Sequence, residues 1–193
     1  MSKSKILAAI QKNKPTGATL PTIPSFTIGK TTPNDSFAAM VEVGGGQVIR
    51  DTNSKNLNTT LKKLFPEAKR IASPLPEIES NIDLDQIPSP GELESVDIAV
   101  IRGQIGIAEN GAVWVTEKDC IHRVLPFITQ HLIILLNQSD IVHNMHEAYE
   151  RIQVDATGFG LFIAGPSKTA DIEQSLVIGA QGARSLTIVL GKE

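Results

Sequence analysis

From Asp97 onward the chain consists of short apolar runs, rich in Val and Ile, divided by glycines and by helical patterns. That texture constrains the fold more than any other feature of its 193 residues. The runs cover 98–101, 112–115, 131–136, 160–164 and 186–190. They alternate only weakly between apolar and polar positions, which is how strands buried on both faces look. Helical patterns lie between several of them. Over 141–154, Ile141, Met145, Ala148 and Ile152 fall on one face behind a cap at Ser139 or Asp140. Strands alternating with helices predict an α/β domain with a largely parallel sheet.

The chain before this region is different. Nine of the eleven prolines lie at or before Pro90. Helices are expected over 4–12, over 35–43 (Asn34 or Asp35 as cap, Gly44 as stop) and over 56–65, which Pro66 ends; 15–33 should be irregular. Residues 73–97 carry four prolines and seven acidic residues with no basic one, and predict a long loop that is either functional or mobile. The expected division is a basic helical and irregular segment, 1–34, followed by one domain, 35–193.

Charge is also uneven along the chain. The formal net charge is −3, yet residues 1–70 hold eleven Lys/Arg against four Asp/Glu, and residues 71–193 hold seven against seventeen. Either the basic and acidic surfaces complement each other or face solvent, or the basic layer meets an acidic partner. No Lys/Arg run is interleaved with aromatics, so nucleic acid is not an expected partner. No apolar stretch approaches the ~18 residues that cross a bilayer, and the basic start leads into no apolar core with a cleavage site, so the expected location is the cytoplasm. One cysteine, Cys120, cannot form an intrachain disulfide or hold an iron–sulfur cluster or a Cys-rich zinc site. No cofactor is therefore expected on this chain.

Two segments carry candidate chemistry. In Gly160–Glu173 (GLFIAGPSKTADIE), a buried strand should end at Ala164, turn through Gly165-Pro166 and enter a short helix capped by Ser167 or Thr169. Free N–H groups around Ser167, Lys168, Thr169, Ala170 and Asp171 would then face a ligand at the carboxyl end of a parallel strand. Lys168 would add charge, making an anion or carboxylate site. The alternative is a helix cap alone, with Asp171 and Glu173 matching the dipole. Pro166 excludes a Walker A loop, and the missing closing glycine excludes a nucleophile elbow.

The second segment is Glu109-Asn110-Gly111. A glutamate held between apolar strands would be partly desolvated and useful as a nucleophile or general base, with Asn110 and Gly111 beside the substrate. Equally, Asn110-Gly111 is a strong tight-turn pair that leaves Glu109 in water. His143 and His146 lie three apart on an expected helix, but Glu150 stands where a zinc-protease helix has its second histidine, so no metal site is expected. His122 and His131 fit a cleft or the core equally well. Cys120 reads as packing before nucleophile.

Taken together, "DIAVIRG … GIAENGAV", "GPSKTADIE" and "LVIGAQGARSLTIVL" resemble the LUD domain, the LutC/YkgG type of lactate utilisation protein, over about residues 35–190. The sequence departs at Asn110, where Thr is usual, and at Ala180-Gln181-Gly182-Ala183, which replaces a Val-His-Gly-Pro turn. The resemblance implies a three-layer α/β/α sandwich like the sugar-phosphate isomerase and CoA-transferase group, in whose CoA transferases a Glu-Asn-Gly turn carries a nucleophilic glutamate. It also implies a part in oxidising L-lactate to pyruvate beside iron–sulfur proteins of the LutA/LutB type, as an accessory or substrate-handling component. Two alternatives stay open: an independent CoA-transferase-like or isomerase-like enzyme using Glu109, and a non-catalytic interaction subunit.

Overall fold

The computed structural model describes residues 2–14, 17, 19, 21–22, 24, 32–50, 57–152, 158–172 and 175–191, the side chains of 171 and 172 excepted. Five strands form an all-parallel central sheet: β1 (Gln47–Arg50), β2 (Ile71–Ala72), β3 (Ile98–Arg102), β6 (His131–Asn137) and β11 (Ser185–Gly191), in the order β1-β11-β6-β3-β2. The mixed α/β class expected from the apolar runs is thus the observed one. β3, β6 and β11 are mostly apolar because both faces of the sheet are covered. Ala99, Ile101, Leu132, Ile134, Leu136, Ile188 and Leu190 enter one core cluster with Phe37 and Val41 of α2 (Pro33–Val43). Ile98, Val100, Ile133, Leu135 and Val189 enter a second with Leu57 and Leu61 of α3 (Leu57–Leu64). Each helix supplies its apolar pair at i, i+4, the spacing that puts two side chains on one helical face.

Two of the five runs belong elsewhere. β4 (Ile105–Ile107), β5 (Ala112–Thr116), β7 (Ile141–Val142) and β8 (Gly160–Ile163) form a second sheet ordered β7-β4-β5-β8, in which β5 runs antiparallel to both neighbours. The 108–111 turn reverses the chain, so β5 cannot run parallel to β4. β5 is nevertheless apolar on both sides. Val113 and Val115 face the central core, while Ala112 and Trp114 face the cluster with Ala148 of α6 (Met145–Arg151), the helix that follows the short α4 (Glu117–Cys120) and α5 (Leu125–Ile128) in the chain. Periodicity reports burial, and burial on both faces does not reveal strand direction.

Other boundaries moved for local reasons. The helix expected over 141–154 begins later: Ile141–Val142 pairs with β4, and α6 starts at Met145 behind Asn144, whose side-chain oxygen accepts from the Glu147 N–H at 3.0 Å. The expected helix starts at Ser4, Asp35 and Asn56 correspond to α1 (Lys3–Lys12), α2 and α3; Asn56, Val154, Glu173 and most of 15–31 lie outside the described residues. The Pro-rich acidic loop is anchored: Ile78, Leu84, Leu93 and Val96 are buried along it, with two short 3-10 turns at Leu84–Gln86 and Pro90–Leu93. Among the described residues no helix is long and apolar enough to cross a membrane.

Asp97 closes this loop onto β3. Its Oδ2 accepts the N–H groups of Lys69 at 2.7 Å and Arg70 at 2.8 Å, and these hydrogen bonds hold its pKa below the usual 3.8. A depressed folded-state pKa means stability that is present above the unfolded value and lost as pH falls through the folded one. The stability gap between wild type and Asp97→Asn is therefore expected to narrow as urea denaturation is repeated from pH 5 down to about 2. A gap unchanged across that window would show the carboxylate charge to be irrelevant.

Candidate functional site

Both motifs converge on the carboxyl end of α2. The chain leaves α2 through Gly44-Gly45-Gly46, with Gly44 N–H donating to the Met40 carbonyl at 2.9 Å and Gly46 N–H to the Val41 carbonyl at 2.9 Å. Two turns press on this end from other elements. Gly111 has φ +69°, and a Cβ there would lie 2.7 Å from the Val41 backbone nitrogen. Gly165 has φ +75°, and a Cβ there would lie 2.5 Å from the Gly44 carbonyl oxygen. At both positions a bare backbone is required by the left-handed conformation and by the close approach. The Lys168 ammonium then donates to the Gly44 carbonyl, a cation on the negative end of the helix. In the sequence Gly44 reads only as a helix stop.

After Pro166 the chain is a strand, which corrects the expected capped helix. β9 (Lys168–Ile172) pairs antiparallel with β10 (Ser175–Ile178). The Ser167 N–H donates to the Ala183 carbonyl at 2.8 Å, and the Ser167 carbonyl accepts from Gly179 N–H at 3.0 Å. These bonds stitch the turn to the 179–183 loop and occupy the N–H that a helical anion site would have left free. Ala170 and Asp171 lie on β9 itself, and the Asp171 side chain is outside the described part.

The turn walls a cleft of about 360 Å³. Gly165, Ser167, Lys168 and Thr169 line it together with Gln181, Gly182 and Ala183 and with the apolar side chains of Phe127, Leu132 and Leu186. Its position differs from the expected one. It sits at the carboxyl end of β8, an antiparallel strand of the second sheet, and beside the amino ends of β6 and β11, where Leu132 and Leu186 lie. Its polar groups are two hydroxyls, an amide and one ammonium. Among the described residues no carboxylate lies within ion-pair distance of Lys168.

Glu109 does not line this cleft. It is exposed in the β4–β5 hairpin turn, and its Oε2 accepts the Met145 N–H at 3.0 Å at the start of α6. Asn110 Oδ1 accepts from Ala112 N–H at 3.0 Å and Gly111 N–H donates to the Ile107 carbonyl at 2.9 Å, both closing the turn. The motif is folded as a hairpin, and its glutamate supports a helix start.

The remaining candidates do not line this cleft. His122 Nε2 pairs with the Leu84 carbonyl at 2.8 Å, and His131 Nδ1 with the Ser185 hydroxyl at 2.8 Å. The His143 N–H donates to Glu147 Oε2 at 2.9 Å, and His146 is exposed on α6. Cys120 is buried, and burial, then Asp119 and Glu117, push its thiol up to about 12, so it is not a thiolate at neutral pH. Among the described residues no group of three or more His, Cys, Asp or Glu is placed to hold a metal ion.

Residues 91–190, just over half of the chain and the part that contains both turns, match the model of the LUD domain family. The chain belongs to the LUD domain family. The Lactate utilization protein C of Shouchella clausii (strain KSM-K16) is 32% identical to it over 97 residues, 47% of this chain and 42% of that one. The protein of the same name from Geobacillus thermodenitrificans (strain NG80-2) is 30% identical over 95 residues, 46% of this chain and 40% of that one. This LUD domain therefore matches about two-fifths of the length of these LutC-type relatives. A DUF162 family protein from Deinococcus radiodurans, known from its crystal structure, superposes with a TM-score of 0.63 at 16% identity, covering 82% of this chain and 96% of that one. That likeness concerns the fold alone, and it covers nearly all of the neighbour.

Proposed function

We propose that this LUD domain is a substrate-handling component of a cytoplasmic lactate-utilisation system, and that its cleft takes the carboxylate of a small 2-hydroxy or 2-oxo acid such as lactate or pyruvate. The observation that carries the reading is that the family string Gly165–Thr169 forms a wall of the 360 Å³ cleft and brings Lys168 to it with a peptide carbonyl, not a carboxylate, as its partner. A peptide carbonyl leaves the ammonium's full charge for an anion. The hydroxyls of Ser167 and Thr169 are donors beside it, and Phe127, Leu132 and Leu186 accommodate a short apolar tail. The names of the relatives support lactate as the acid.

Converting lactate to pyruvate releases two electrons, and one cysteine cannot ligate an iron–sulfur cluster to receive them. Iron–sulfur partner proteins are the proposed acceptors, with this chain presenting the acid. The covalent alternative at Glu109 is less favoured, because its carboxylate is committed to the Met145 N–H and is away from the cleft.

Isothermal calorimetry with lactate and pyruvate tests the site. A hydrogen bond to a charged group contributes about 1.5–3 kcal/mol, so Lys168→Ala is expected to weaken binding roughly ten- to hundredfold. Absence of heat with both acids at millimolar concentration, or equal affinity in Lys168→Ala, would remove the proposed site.

A further inference from the structure

A second kind of cleft opens on the opposite face of β6. Leu132 lines the cleft described above, whereas His131 lines one of about 310 Å³ at the amino edge of the central sheet, together with Phe65, Glu67, Asp97, Gln130 and Arg184. The two share no lining residue. We infer that this amino-edge cleft binds a small oxyanion, a phosphate or a carboxylate, between the Arg184 guanidinium and Nε2 of His131. The inference does not depend on the lactate reading, which concerns the other cleft.

Three observations carry it. First, Arg184 lines the cleft and its backbone is fixed there, its N–H donating to the Gln130 carbonyl at 2.8 Å, while no carboxylate among the described residues lies within ion-pair distance of its side chain. A planar guanidinium kept at a concave site without an ion-pair partner is suited to bidentate recognition of an oxyanion. Second, His131 is positioned on both sides. Its ring lies against Phe65 with centroids 4.4 Å apart, and Nδ1 is engaged by the Ser185 hydroxyl, so Nε2 is the nitrogen left for a ligand. Third, the acids at the cleft do not already fill the anion's place. Asp97 is tied to the Lys69 and Arg70 N–H groups through Oδ2, and Glu67 is exposed, where solvent and salt screen its charge.

The charges around His131 set a readout. Burial and then Arg184 lower its pKa below 6.5, while Asp97 raises it; Glu67 also lines the cleft. An anion seated beside the ring adds a negative charge and favours the imidazolium, so its pKa rises on binding and, reciprocally, binding tightens as pH falls through that range.

NMR titration of the four histidine rings across pH 4–9, alone and with millimolar inorganic phosphate or butyrate, reads this directly. The expected result is a rise of about one pH unit in the His131 midpoint with at least one anion. A rise with phosphate alone or with butyrate alone identifies which oxyanion the cleft takes. Arg184→Gln should abolish the rise, Arg184→Lys should keep part of it, and Lys168→Ala should leave it intact. An unmoved His131 midpoint with both anions overturns the inference, as does a rise that survives in Arg184→Gln or disappears in Lys168→Ala.

Discussion

Gly111→Ala is expected to destabilise the fold by about 3 kcal/mol or more, measured as a shift in the urea midpoint at constant slope. Two costs add. A left-handed φ of +69° costs a non-glycine residue about 1–2 kcal/mol. The new methyl would also lie 2.7 Å from the Val41 backbone nitrogen and 2.8 Å from the Met40 carbonyl carbon. Those are backbone atoms in the last turns of α2 and cannot rotate away as a side chain could, so the helix or the hairpin must shift, an overpacking cost of about 1–3 kcal/mol. A loss below about 1 kcal/mol would mean that the hairpin is not pressed on the helix. The variant should weaken lactate or pyruvate binding too, because the displaced helix carries the Gly44 carbonyl that holds Lys168.

Phe37→Ala is expected to cost about 3–5 kcal/mol, the range for removing a buried phenylalanine. Phe37 is 0% exposed, belongs to the main cluster with Val41, Ala99 and Ile101, and its ring edge would lie 3.2 Å from a Cβ placed on Gly106. It is thus the side chain that fastens α2 across both sheets. Phe37→Leu, which keeps most of the volume, should cost less than about 1.5 kcal/mol. Equal losses in the two variants would assign the effect to ring shape and not to the cavity. Near-neutral behaviour of both would mean that α2 is not held through this residue.

The same helix explains why much of the site was illegible in the sequence. Glu109-Asn110-Gly111 and Gly165–Thr169 were recognisable as strings, and family membership followed from them, because the residue types at such turns are set locally by left-handed φ values and tight hydrogen bonds. Their roles were not legible. Asn110-Gly111 reads either as part of a catalytic turn or as a tight turn, and the structure has the tight turn; what the sequence does not show is that Val41, seventy residues earlier in the chain, also requires a bare backbone at Gly111. Ser167 and Lys168 looked like a helix start; the Ala183 and Gly179 partners that make the segment an extended edge lie beyond the window in which periodicity can be read. Glu109 is drawn to Met145 by a helix start that the pattern placed four residues too early.

What the sequence by itself determined is burial. Val/Ile-rich runs mark five of the strands, and cap, glycine and proline signals mark α2 and α3, since each of these depends on residues close together in the chain. The tertiary structure decided direction and adjacency: which runs pair in parallel, which form a second antiparallel sheet, and which face of β6 each cleft occupies. A strand covered on both faces has the same composition whichever way its neighbours run. Only the long-range register of hydrogen bonds distinguishes the cases, and it is this register that places Lys168 at one cleft and Arg184 at the other.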